Sequence, residues 1–296
     1  MPTGDTTRQS VAGYFGGGYD GADISGIDKI TFPADTKTTL SATLTTARNN
    51  FTGGFADSGV AGYFAAGYDT ANIDGIDKIT FPADTKTTLT AVLTSATTST
   101  SSMANSSVAG YVCGGSGLSR IDKITFPADT KTTLSATLTS AVSASSAMAN
   151  SGVAGYIGGG VSFDRIDKIT FPADTKTTLS AVLTTARYYL TGMADSGVAG
   201  YFGGGDDGAK ISGIDKITFP ADTKTTLAAT LTSGRSNMGG MADIGVAGYF
   251  GGGLTATVYT SGIDKIAFPS DTKTTLSATL TTARGYLAGM ANCGVF

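Results

Sequence analysis

Along the chain, apolar and polar positions fall into short segments that never reach helical length, and the same segments keep returning. "IDKITFPADTKTTL" fills 27–40, recurs unchanged at 76–89, 121–134, 166–179 and 214–227, and returns as "IDKIAFPSDTKTTL" at 263–276. Aligned on Tyr14, Tyr63, Tyr111, Tyr156, Tyr201 and Tyr249, the copies step by 49, 48, 45, 45 and 48 residues. That spacing predicts a repeat architecture. Each unit holds four strand-like segments, which in the second unit are "RNNFTGGFAD" (48–57), "GVAGYFAAG" (59–67), "GIDKITF" (75–81) and "TTLTAVLT" (87–94).

The fourth segment alternates Leu89, Ala91 and Leu93 with Thr88, Thr90 and Val92, which predicts a half-buried strand. Thr and Lys86 suit an outer edge because they discourage pairing with another chain. "FPADTK" reads as a tight turn in which Pro82 presets the backbone and Asp84 bonds to the backbone ahead of it. Ile76, Ile79, Phe81, Leu89 and Leu93 are expected between neighbouring units, and the glycines of "GYFGGG" at a crowded centre.

The chain starts on the second segment of a unit, "SVAGYFGGG", and stops after a first segment, "RGYLAGMANCGVF", with Val295 standing where Val11 stands. The last segment can therefore complete the first unit and close a ring. The expected fold is all-β: a single six-bladed β-propeller over 1–296, each blade a four-stranded antiparallel sheet, with one blade built from both termini and a polar tail at 1–9.

The "GYFGGG" closing the second strand, the Arg opening the first (Arg48, Arg187, Arg235 and Arg284) and the "IDKITF" third strand resemble kelch repeats over nearly the whole chain. The kelch tryptophan is absent, and the Arg is missing from the units with "ATTSTSSM" and "AVSASSAM". The near-identical "SGVAGYF…GIDKITFPADTKTTL…TTAR" array is also similar to kelch-like propellers of tailed bacteriophages. That resemblance implies a virion component such as a tail fibre, spike or surface decoration.

Composition narrows the chemistry. The chain has no His, no Trp and no Glu, so all 23 acidic side chains are Asp and the usual general acids, zinc ligands and Ser-His-Asp sets are lacking. "GGGYDG" (16–21) and "GGGDDG" (203–208) fit a dinucleotide fingerprint, but no helix is expected to follow them. The four arginines with Tyr188 suggest a sialidase only superficially, since the partner Glu and the Trp-bearing turns are missing. No enzyme activity and no cofactor are expected. A formal net charge of −3 without a basic stripe argues against nucleic acid, and no apolar run is long enough to insert in a membrane. The opening "MPTGDTTRQS" lacks the pattern of a signal peptide, so synthesis in a host cytoplasm and residence on the virion are expected. Cys113 and Cys293 stand where sister units carry Gly16 and Ser58 and read as incidental small residues.

The copies differ in the loop after the second strand and in the approach to the first. Strand alternation puts both on one face of the disc. This variable rim displays Tyr19, Asp20, Asp23, Tyr68, Asp69, Asn72, Phe163, Asp164, Arg165, Asp206, Asp207, Lys210 and Tyr259 beside Arg48, Tyr188, Tyr189 and Tyr286. Aromatic planes with polar hydrogen-bonders are what a carbohydrate or a polar protein surface requires. The expected partners are host-surface polysaccharide or protein on this rim and other virion proteins on the opposite, constant face. There the Asp and Lys pairs, Asp28, Lys29, Asp35 and Lys37 among them, read as a solvated, mutually neutralised surface. Three alternatives stand beside this reading: a rim that merely tolerates change, a cellular kelch-like scaffold for protein partners, and a polysaccharide-degrading enzyme.

Overall fold

A computed structural model describes residues 11–51 and 53–293; the expected tail at 1–9 and Val295 lie outside them. Twenty-four short strands form six separate four-stranded antiparallel sheets, and every described element is a strand or a turn. The sheets are the six blades. Blade 1 runs from the innermost strand Ala288–Ala291 through Ala12–Gly16 and Ile27–Thr31 to the outer strand Thr36–Thr39. The C-terminal strand pairs with the N-terminal one in register Gly13↔Ala291, Tyr14↔Met290, Phe15↔Gly289 and Gly16↔Ala288. The ring is therefore closed by both ends of the chain, as the sequence predicts.

Blades 2 to 6 follow in chain order, their innermost strands being Phe55–Asp57, Ser101–Asn105, Ser146–Asn150, Thr191–Asp195 and Gly239–Asp243. These strands pack on one another around the axis. The crowded centre accordingly belongs to the first strand of each unit and not to the "GYFGGG" segment. A side chain at Gly289 would overlap the backbone carbonyl of Gly240. Glycines of the second strands answer a different demand. Met290 packs on Gly62, Phe55 on Gly110, Met103 on Gly155, Met148 on Gly200, Met193 on Gly248 and Met241 on Gly13. Each blade thus inserts one side chain over its successor, and the sixth inserts over the first.

A second cycle runs near the constant face. Tyr14 Oη donates to Asp84 Oδ1 at 2.7 Å in the next blade, and Tyr63–Asp129, Tyr111–Asp174, Tyr156–Asp222, Tyr201–Asp271 and Tyr249–Asp35 repeat the bond at 2.7 to 2.8 Å. The other carboxylate oxygen takes a lysine of the same donor blade, as in Lys29–Asp84 at 2.6 Å. Each tyrosine also stacks on the next blade's Phe, with Tyr14 and Phe81 centroids 5.2 Å apart. The "FPADTK" aspartate is therefore an acceptor for the neighbouring blade and not for its own turn. It sits at positive φ in all six copies, about 55° at Asp84, a conformation Asp tolerates better than most residues.

Two expectations about strands and surface change. The outer strand is only Thr85–Thr88 in blade 2, so most of "TTLTAVLT" lies beyond it. Its alternation is still real, since Leu93 is buried and Leu89 and Ala91 half-buried while Thr90 and Val92 are exposed. Beyond Thr88 the segment docks through two isolated backbone bonds, Leu89 N to Ile76 O and Leu93 N to Asp74 O, both at 2.9 Å. Asp28 and its counterparts are not solvated either: Asp28 is fully buried and accepts from Thr281 N at 2.9 Å and Thr39 Oγ1 at 2.9 Å. Buried carboxylates persist only when bonded in this way. Ile76 and Ile79 are fully buried as expected, each contributing about 1.5–3 kcal/mol.

Candidate recognition face

In blades 1, 2, 5 and 6 the loop after the second strand folds back as a small hairpin, marked by the backbone bridges Tyr19↔Asp23, Tyr68↔Asn72, Asp206↔Lys210 and Leu254↔Tyr259. Aspartates shape these loops by accepting the amide two residues on. Asp20 takes Ala22 N at 3.3 Å, Asp69 takes Ala71 N at 3.1 Å, Asp206 takes Gly208 N at 2.8 Å and Asp207 takes Ala209 N at 3.3 Å. Part of each carboxylate is thus committed to its own turn. The loops also pair sideways with the connection into the first strand, through Tyr19↔Gly285, Tyr68↔Asn49, Tyr188↔Asp206 and Ser236↔Leu254. The two variable segments therefore meet on one face.

Arg48 is not displayed on that face. It is 2% exposed, donates to Asp77 Oδ2 and to Phe64 O, both at 3.0 Å, and precedes the first strand instead of opening it. Arg187, Arg235 and Arg284 are equally buried, on Asp215, Asp264 and Asp28. A guanidinium below the surface offsets the desolvation of a carboxylate that the fold has already buried. Each arginine is taken up by a different aspartate, so no arginine clamp of the sialidase kind forms. Blades 3 and 4 carry Thr97 and Val142 in place of that arginine. There the cation comes from the residue two before the aspartate, Arg120 at 3.3 Å from Asp122 and Arg165 at 4.0 Å from Asp167, where the other blades have Gly26, Gly75, Gly213 and Gly262. Arg165 also lies 3.8 Å over the ring of Phe163, which packs on the core. Phe163 and Arg165 are on the face but largely spoken for.

The remaining predicted residues divide by sector. Tyr68 and Asn72 are exposed on blade 2, with Asn72 reaching Ser116 Oγ at 3.3 Å, and Asp164 is exposed on blade 4. Asp23 accepts from Asn49. Blades 5, 6 and 1 carry a continuous aromatic group. Tyr188 and Tyr189 meet edge to face at 5.3 Å, Tyr189 and Tyr286 at 5.8 Å, and Tyr19 and Tyr259 at 6.0 Å. Tyr259 lies against Gly285, next to Tyr286. Lys210 is held by Asp206 at 2.5 Å.

Six backbone bonds on this face close a circle about the axis. Asn50 N donates to Tyr286 O, Tyr286 N to Asn237 O, Asn237 N to Tyr189 O, Tyr189 N to Ala144 O, Ala144 N to Ser99 O and Ser99 N to Asn50 O, all between 2.6 and 3.1 Å. All six residues sit at positive φ, from 53° at Tyr189 to 63° at Asn50. The left-handed region costs a residue other than glycine about 1–2 kcal/mol. No blade uses glycine there. Tyrosine at two of these positions is a strained choice of the kind that clusters at functional sites. Between them sits Asn237, 4% exposed, whose Nδ2 donates to Ser236 Oγ at 2.9 Å while Oδ1 has no partner. The variable-segment pattern pointed to the tyrosines but not to Asn237, whose neighbours in other blades are Asn50, Ser99 and Ala144.

Electrostatically the face is quiet. Burial alone would raise the Asp215 carboxyl, but the hydroxyl and amide of Thr184 and the Arg187 charge outweigh it and hold it below its ordinary value. Burial, then neighbouring Tyr189, Tyr259 and Asp206, push Tyr286 up to about 12. The Asp206 charge raises Tyr188. Both phenols are thereby held as neutral donors with apolar planes. Cys113 and Cys293 are both buried thiols; Cys293 Sγ donates to Ala242 O at 3.2 Å, and burial pushes the Cys113 thiol up. The glycine-rich segments at 16–21 and 203–208 spend amides on their own blades, Gly17 on Gly26 O and Gly204 on Gly213 O. An open groove of about 670 Å³ lies elsewhere, between 34–37 and 277–281. It is built from segments that read nearly alike in every unit, apart from the variable face.

Compared with known proteins, the chain matches no protein-family model and no curated protein sequence.

Proposed function

We propose that this protein is a non-enzymatic structural and binding component of a bacteriophage virion, a tail fibre, spike or surface decoration, that recognises host-surface glycan or protein. One observation carries the reading: the six blades share near-identical framework sequence, yet their two most variable segments, the loop after the second strand and the approach to the first, meet on one face, where tyrosines and polar side chains are held. The kelch-like repeat style of the sequence supports the phage origin. The missing residue types, His and Glu above all, support binding without turnover.

The constant face then serves as the docking side toward other virion proteins, with the tyrosine-bearing face outward. Mass spectrometry of purified virions tests the placement: the expected result is this chain among the particle proteins. Its absence from particles, with the chain recovered in a cellular complex, would overturn the reading. The recognition role is checked by binding of the purified chain to host cells, expected to fall at least tenfold in a Tyr188→Ala, Tyr189→Ala, Tyr68→Ala triple variant.

A further inference from the structure

The recognition face is unequal around the axis. Its axial positions read Asn50, Ser99 and Ala144 on blades 2 to 4 and Tyr189, Asn237 and Tyr286 on blades 5, 6 and 1. One half is small and the other aromatic. Tyr188, Tyr19 and Tyr259 extend the aromatic half outward through the contacts described above. The two axial tyrosines hold left-handed backbone that glycine would adopt without strain. Asn237, between them, keeps a buried acceptor without a partner. Leaving such a group unmet is costly, and an incoming hydroxyl satisfies it.

The charges around this half sharpen the chemistry. Among the described residues, the cations of this half are in ion pairs: Lys210 with Asp206, and Arg187, Arg235 and Arg284 with buried aspartates beneath the surface. Asp20 and Asp207 remain exposed. An anionic ligand would meet two exposed carboxylates and, among the described residues, no exposed guanidinium or ammonium beside them. A neutral sugar offers an apolar ring face for a tyrosine plane and hydroxyls for Asn237 and the phenols.

We propose that Tyr189, Asn237 and Tyr286, flanked by Tyr188, Tyr19 and Tyr259, form a single off-centre site for an uncharged sugar residue of a surface polysaccharide. The site is one per ring, despite six blades, and it discriminates against polymers bearing uronate or phosphate. This rests on the reading of the variable face as the recognition side and adds to it a location, a stoichiometry and a ligand class.

The test uses the full chain on a microarray of bacterial surface polysaccharides, neutral ones beside ones carrying uronate or phosphate. The expected result is at least tenfold stronger binding to neutral polymers, lost at least tenfold in Tyr189→Gly and in Tyr286→Gly. Val161→Thr, exposed on the blade 4 side of the same face, keeps it. Because glycine fits the left-handed backbone, both glycine variants are expected to melt within a few degrees of the parent, so lost binding is not lost folding. Titration with a purified neutral polysaccharide fragment should saturate at one per chain. Preference for acidic polymers, or six equivalents per chain, overturns the proposal. Neutral-glycan binding that survives Tyr189→Gly and Tyr286→Gly but is lost in Tyr68→Ala moves the ligand to blade 2, overturning the axial site while the face remains the recognition side. A blank array with host-protein binding lost in Tyr189→Gly overturns the sugar class alone. No binding to any host-surface fraction fails both readings together.

Discussion

Tyr249 Oη donates to Asp35 Oδ1 at 2.8 Å across 214 positions of the chain. This bond joins the last blade to the first and is the same bond that joins every other neighbouring pair. Removing the hydroxyl by Tyr249→Phe keeps the stacking on Phe32 and should cost about 1 kcal/mol. Tyr111→Phe, within the chain's middle, should cost the same. Denaturant midpoints of the two variants compare them directly; a cost at Tyr111 with none at Tyr249 would mean an open arc.

The same tyrosines set the alkaline limit. Burial first, then the bonded aspartate of the next blade, raise Tyr14, Tyr63, Tyr111, Tyr156, Tyr201 and Tyr249 far above the ordinary phenol range. A raised pKa in the fold gives stability that is complete below the unfolded value of about 10 and is lost as pH climbs beyond it. Absorbance at 295 nm should therefore show only part of the 12 tyrosines ionising before the β-sheet signal collapses. The remainder should ionise together with unfolding.

At the acid end the signs reverse. For Asp28, Asp122, Asp167, Asp215 and Asp264, burial is outweighed by threonine bonds and by nearby cations, and each carboxyl is held below its ordinary value. Their contribution is present above the unfolded value of about 3.9 and is lost as pH falls further. The melting temperature should hold down to about pH 4 and drop below it. Asp195 behaves oppositely, because burial raises it. Asn105 and Asn150 stand at the same place in blades 3 and 4 and accept a glycine amide at 2.9 Å just as Asp195 does. Asp195→Asn should thus raise the melting temperature at pH 7 and lose that advantage below pH 4.

Blades 3 and 4 also predict a rescue. Arg187→Val leaves Asp215, 1% exposed at its side chain, without its guanidinium and should cost about 3 kcal/mol. Adding Gly213→Arg copies the arrangement of Arg165 with Val142. The space allows it, since a Cβ at Gly213 meets only Ile211 Cγ2, at 3.7 Å. At least half of the lost stability should return in the double variant, read from denaturant midpoints.

Period, blade count and closure were legible because they depend on spacing and on where the units break. Alternation overextends the outer strand because it reports which side chains face inward and not where the ladder ends: past Thr88 only Leu89 N and Leu93 N bond back, to Ile76 O and Asp74 O. Arg48 was misplaced on the surface for a different reason. Its partner, Asp77, lies 29 residues away in a stretch common to all units, and nothing local marks either as buried. The axial circle left no trace in sequence because its left-handed positions carry Asn, Ser, Ala and Tyr in place of the glycine that signals such backbone. The tyrosines could be read from the loops; that Tyr189 and Tyr286 flank one buried Asn237 needed the ring.

Amide hydrogen exchange of the chain with and without host envelope polysaccharide tests the account most directly, because it reports which face is covered. The account predicts slowed exchange in 183–190, 206–210, 254–260 and 284–287, with the "FPADTK" turns unchanged. Slowing confined to those turns, with the tyrosine-bearing segments unaffected, would contradict it.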